Sequence, residues 1–322
     1  MDNKQKIDPE LVTPLETFLN ATGGGLNLHD IPGTRVMMEQ SAAVIKATLP
    51  PIDGVKTEDR QTAGPEGADD VHFRVYQPEQ RTEKLPALLW IHGGGYTLGN
   101  VEGDDLMASR WAKELSCVVV SVEYRLAPEH PFPAPLEDCY CALKWLADHC
   151  DELDVEKSRI VIGGVSAGGG LAAGLALLTR DRGEIEVAYQ LLVYPMIDDT
   201  NLAQASEDLA DTFVWTRESN LLGWRAYLGC EPGGDDISPY AAASRAKDLS
   251  NLPPAFISVG DLDLFLSENI KYAHGLLEAG VSTELHVYHG AYHGFNGLAP
   301  TADVARRFNT DRDNALKRAL HG

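Results

Sequence analysis

The first fifty residues read as helices. Asp8 followed by Pro9 is an N-cap with proline at the first helical position, a second helix begins near Thr34, and Pro50-Pro51 stops it. Gly23-Gly24-Gly25 is the loop between the two. From residue 71 the pattern changes to short apolar runs alternating with helical stretches. VHFRVYQ, ALLWIH, CVVVSVE, IVIGGV, YQLLVYP, AFISVG and ELHVYH read as strands, with helices at about 103–115, 135–148, 167–181, 266–279 and after 301. This alternation predicts an α/β fold with a mostly parallel central sheet flanked by helices.

A long insertion near 198–240 interrupts the alternation. Its residues Phe213, Trp215, Leu221, Leu222, Trp224 and Tyr227 are more apolar than a connecting loop requires. The expected organisation is therefore N-terminal cap helices over 1–50, a catalytic core in two parts over 51–197 and 241–322, and a cap insertion over 198–240. Phe213, Trp215 and Leu222 become candidate substrate-binding residues; the competing reading of the insertion is an extra core helix. Ile160 to Thr179 runs twenty residues without a charge, about the length of a bilayer span, but it contains six glycines. Glycine triplets break a continuous helix and suit a turn, so the segment reads as a buried strand, a tight turn and a small-residue helix.

Composition narrows the partners. Among 322 residues, 44% hydrophobic and 23% charged, 48 Asp and Glu stand against 27 Lys and Arg, for a formal net charge of −21. Such a surface repels phosphate backbones and anionic lipid, which argues against nucleic acid and acidic membranes. The opening MDNKQKIDPE has no apolar stretch after a basic one, so a signal peptide is not expected and a cytoplasmic location is. Five cysteines, odd in number and without C-x-x-C spacing, read as free thiols rather than disulfides or zinc ligands.

The chemistry concentrates at a few turns. Gly164-Val165-Ser166-Ala167-Gly168 matches G-x-S-x-G between a predicted strand and a predicted helix, the context of a nucleophile elbow. On such a sharp turn only small neighbours avoid clashes, and the helix N-terminus favours a developing oxyanion. Gly168 to Ala173 formally fits G-x-G-x-x-A for dinucleotides, but it starts inside the helix and its positions are small by composition; no cofactor is expected. His92-Gly93-Gly94-Gly95 follows the strand ALLWIH, where side-chain-free N–H groups can approach an oxyanion. Gly93, Gly94 and Ala167 are thus the candidate oxyanion donors.

The base is sought after the acid, near the C-terminus. His286, His289 and His293 are the candidates: His286 lies within a strand, whereas His293 sits beyond its end in a loop, can reach the serine and is the choice; no H-E-x-x-H is present to suggest a metal. Asp261, Asp263, Asp198 and Asp199 all follow strands, and spacing alone cannot separate them as the acid.

HGGG at 92–95, YRLAPEHPFPA at 124–134, the elbow at 164–169 and His293-Gly294-Phe295 together resemble the hormone-sensitive-lipase family of esterases, over nearly the whole chain. The family pattern D-P-L-x-D-E-G is similar to Asp263 through Asn269, which implies Asp263 as the acid. The chain departs from that pattern at Leu264, at Ser267 and at Val165, where the family usually has Asp. The resemblance implies a helical cap, a Ser166–His293–Asp263 triad acting on small-molecule esters of short to medium acyl chain, and a dimer. An amidase using the same residues, and a ligand-binding relative without catalysis, are the readings from other classes.

Overall fold

The computed structural model describes residues 6–48, 50–201 and 214–322. Its sheet contains β1 (Val55–Thr62), β2 (Val71–Pro78), β3 (Leu85–Ile91), β4 (Val118–Glu123), β5 (Val155–Val165), β6 (Tyr189–Val193), β7 (Ala255–Gly260) and β8 (Thr283–Tyr288). They lie in the order β1-β2-β4-β3-β5-β6-β7-β8. β2 runs antiparallel to β1 and β4, and every other pairing is parallel. The seven predicted strands are β2 to β8. β1 has no counterpart among them, because VKTEDRQT carries no apolar run; it borders the sheet, where charged side chains discourage pairing with other chains.

The helices are α1 (Pro9–Thr22), α2 (Ile31–Thr48), α3 (Asp105–Glu114), α4 (Ala134–Asp148), α5 (Ala167–Arg182), α6 (Arg217–Leu228), α7 (Leu266–Glu278), α8 (Phe295–Leu298) and α9 (Asp303–His321). α1 starts as expected, with Asp8 accepting from the Glu10 N–H at 3.0 Å. α2 starts three residues before Thr34. Asp30 caps its first turn by accepting from the Gly33 N–H at 3.0 Å, while the Thr34 hydroxyl donates to the Asn27 carbonyl at 2.7 Å. The helix expected at 103–115 is divided into a 3₁₀ turn, Val101–Asp104, and α3.

Period-two alternation gives the sheet two cores. Ala87, Leu89 and Ile91 of β3 face one side, packed with α4, α5 and α6 residues such as Leu143, Leu171 and Trp224. Leu88 and Trp90 face the other, with Leu11, Trp111 and Phe308 from α1, α3 and α9. The charge-free run at 160–179 is the end of β5 followed by buried α5. No helix among the described residues is long and apolar enough to cross a membrane.

Candidate active site

Four parallel strands, β3, β5, β7 and β8, deliver the predicted residues to one edge of the sheet, because a parallel sheet aligns all its carboxyl ends. At the end of β5 the chain reverses into α5 through Ser166, at φ +57° and ψ −119°. That backbone costs on the order of 1–3 kcal/mol and must be held from outside. The Ser166 N–H donates to Val193 O at 2.8 Å, and its carbonyl accepts from Gly170 and Met196, both at 3.0 Å. A Cβ on Gly164 would collide with the Gly168 carbonyl, and one on Gly168 with the carbonyls of Ile91 and His92. The two glycines of the motif are therefore required by close backbone approach.

His293 bridges the serine and one carboxylate. Its Nε2 lies 2.9 Å from Ser166 Oγ and its Nδ1 lies 2.7 Å from Asp263 Oδ2. A carboxylate accepts, so Nδ1 carries the ring proton and Nε2 accepts from the hydroxyl. Asp263 Oδ1 accepts the Phe265 N–H at 2.9 Å. All three side chains are buried. Two rings confine the imidazole: Tyr194 at 4.7 Å with a 65° interplanar angle and Phe265 at 5.0 Å and 87°. Tyr194 is anchored by its hydroxyl on Asn296 Oδ1 at 2.8 Å. Neither ring was legible as part of the site; only their positions next to strand ends could have drawn attention to them.

The competing acids have other partners. Asp261 accepts from His289 Nδ1 and the Gly290 N–H, each at 2.7 Å. Asp198 closes a turn on the Thr200 N–H at 2.9 Å, and Asp199 is engaged by Arg245 at 2.5 and 2.8 Å and by the Gly233 N–H at 2.6 Å. His286 bonds Glu284 at 2.8 Å within its own strand. Glu268, inside the motif at 263–269, directs its side-chain hydrogen bonds away from the three bridged residues. It is buried, its pKa pushed well above the usual carboxylate value by desolvation, and it braces the segment after β6 by accepting from Ile197 N at 2.8 Å and Asn201 Nδ2 at 2.6 Å.

The HGGG turn abuts the elbow. A Cβ on Gly93 would stand 3.4 Å from Ser166 Cβ. The N–H groups of Gly93, Gly94 and Ala167 meet no acceptor among the described residues. His92 Nδ1 donates to Gly93 O at 2.8 Å, and the ring stacks on Tyr124 at 4.2 Å, whose hydroxyl donates to His92 O at 3.0 Å. Burial lowers the His92 pKa to about 4, so the ring stays neutral at neutral pH. Tyr96 OH donates to Met196 O at 2.7 Å, which ties this loop to the residue that also holds the Ser166 carbonyl. Trp215 is buried with its ring tip where a Cβ on Gly95 would stand, and its indole N–H donates to Asn220 Oδ1 at 3.3 Å. Leu222 is half-buried against the core that contains Trp224. Phe213 lies outside the described residues.

Against known proteins, a family model described as alpha/beta hydrolase fold matches residues 88–297, which contain the serine, the aspartate, the histidine and both glycine turns. The chain belongs to the α/β-hydrolase family. Within it, the match supports the hormone-sensitive-lipase-like branch that the motifs resemble. This hydrolase is 35% identical to carboxylesterase NlhH of Mycobacterium tuberculosis, over 98% of this chain and 97% of that one. It is 33% identical to esterase LipI of the same species, over 100% and 98%. Among solved structures, a bacterial heroin esterase superposes with a TM-score of 0.93 at 40% identity, covering 99% of each chain. A hyperthermophilic esterase from the archaeon Pyrobaculum calidifontis gives 0.86 at 37%, covering 97% of this hydrolase and 98% of that chain.

Proposed function

We propose that this hydrolase cleaves carboxylic esters with Ser166 as nucleophile, His293 as general base and then acid, and Asp263 as the carboxylate that orients the imidazole. The observation that carries the assignment is the pair of bonds from one His293 ring to Ser166 Oγ and Asp263 Oδ2. Ser166 Oγ attacks the ester carbonyl as His293 Nε2 takes its proton, and the N–H groups of Gly93, Gly94 and Ala167 receive the oxyanion. His293 returns the proton to the leaving alcohol, and the acyl group stays on Ser166. A water, deprotonated by the same nitrogen, then releases the acid. Relatives named as carboxylesterases agree with this chemistry.

Short to medium acyl chains of uncharged esters fit the same reading, supported by the buried Trp215 against Gly95 and by the net charge of −21, which disfavours anionic substrates. Trp215 and Leu222, with Phe213, would bound the substrate within a cap made of residues 1–50 and 198–240. Five free thiols suit a reducing cytoplasm, and a homodimer completes the reading.

The test measures p-nitrophenyl esters of increasing chain length beside a matched anilide, and labels the protein with a fluorophosphonate. kcat/KM is expected to peak at short to medium chains with the anilide slower, and wild type but not Ser166→Ala is expected to take the label. A steady rise towards long chains would remove the proposed pocket; labelling of Ser166→Ala would remove the nucleophile.

A further inference from the structure

The oxyanion loop is held by a residue 62 positions earlier in the chain. Arg35, on the second turn of α2, donates from Nε to Thr97 O at 2.8 Å and from Nη2 to Ala127 O at 2.9 Å. It also donates from Nη1 and Nη2 to the two oxygens of Glu129, both at 2.9 Å. One planar fork thus reads two main-chain carbonyls and a carboxylate on two separate loops, a task the ammonium of lysine cannot reproduce. The pairing holds the Glu129 carboxyl below its usual range.

The two loops are already joined by the Ala127 N–H donating to Tyr96 O at 3.0 Å. Thr97 and Leu98 in turn donate to Gly94 O at 3.1 and 2.9 Å, which closes the turn that begins at Gly94, directly after Gly93. Thr97 therefore stands between the guanidinium and the oxyanion donors. Its N–H fixes the Gly94 carbonyl, and its own carbonyl is fixed by Arg35. Without the guanidinium the Thr97 and Ala127 carbonyls lose their side-chain partner, and the loop is free to tilt. Donor placement is demanding: an error of about 1 Å can cost about 100-fold in rate.

We propose that Arg35 is a positioning residue for ester hydrolysis, through which docking of α2 sets the geometry of the oxyanion donors. Glu129 is its second anchor and holds the fork in the orientation that reaches both carbonyls. The proposal rests on the assignment of Gly93 and Gly94 as oxyanion donors. It separates Arg35 from residues that only stabilise the fold, because its effect appears in the transition state, where the oxygen is negative, and not in substrate binding.

The experiment uses the full chain, with folding checked by circular dichroism, and compares wild type, Arg35→Met, Arg35→Lys and Glu129→Gln. For Arg35→Met, kcat on a p-nitrophenyl ester is expected to fall about 10- to 100-fold with KM changed by less than about threefold. Binding of an aryl trifluoromethyl ketone, which forms a tetrahedral oxyanion on the serine, should weaken in parallel. Arg35→Lys and Glu129→Gln should show the same signature at smaller size. Should Arg35→Met fail to fold, Arg35→Lys decides by the same readouts. A folded variant with wild-type kcat and ketone affinity, or one altered in KM alone, overturns the proposal. A wild type without turnover or fluorophosphonate labelling refutes the esterase reading and the proposal with it, which distinguishes the two failures.

Discussion

Two histidine–aspartate pairs stand side by side in this hydrolase with the same 2.7 Å separation. One is His293 with Asp263 and the other is His289 with Asp261. The histidines are four residues apart and the aspartates two, on the same two loops. What differs is the surroundings. The His293 side chain is 9% exposed and the Asp263 side chain fully buried, whereas the His289 side chain is 92% exposed. The first imidazole has a serine hydroxyl on its far nitrogen and two aromatic rings against it; the second faces solvent. A short contact between the right residue types is not sufficient for chemistry. Exclusion of water and a hydroxyl on the opposite nitrogen set the buried pair apart from the exposed one.

The comparison is broken most severely by removing that third partner. Ser166→Ala is expected to lower kcat by about 10⁶-fold, the scale of subtilisin-type triads without their serine. Near-wild-type turnover in the folded variant would make the two histidine pairs equivalent after all. Asp263→Asn keeps the shape of the buried pair but allows the wrong tautomer, and about 10⁴-fold is expected in kcat, as in the serine-protease example. Retained activity in Asp263→Asn together with its collapse in Asp261→Asn would transfer the role to the exposed pair.

His92 supplies a third environment, buried with no carboxylate against it. Its pKa is lowered to about 4 by burial, against 6.5 for the free side chain, so the unfolded chain binds the extra proton between these values and the native one does not. Stability from this group is complete above pH 6.5 and is lost as pH falls towards 4, by about 3 kcal/mol in all. Denaturant melts at pH 7 and pH 4.5 should show a steeper loss for wild type than for His92→Asn. Equal losses would remove His92 from the acid sensitivity. The smallest effect belongs to the exposed pair: Asp261→Asn should alter kcat by less than about twofold and stability by less than about 1 kcal/mol, checked by steady-state kinetics and a melt.

The sequence by itself determined the order in which the strands and the candidate chemical groups follow one another along the chain. β3, β5, β7 and β8, the elbow at Ser166, the glycine turn at 93–95 and the loop histidine at 293 are all local signals, because a sharp turn or a buried strand constrains only its immediate neighbours. The acid was different. Asp261 and Asp263 lie on one turn, and only the resemblance over 263–269 chose between them; in the fold their side chains engage different histidines. β1 escaped because an edge strand has no need of apolar residues on both faces. Tertiary structure alone decided which side chains surround the local motifs: Tyr194 and Phe265 on His293, Trp215 over Gly95, and Arg35 on the loop behind Gly94. Those contacts join residues up to 120 positions apart, as between Gly95 and Trp215, set by how helices and loops pack over the sheet, and no spacing along the chain encodes such a distance.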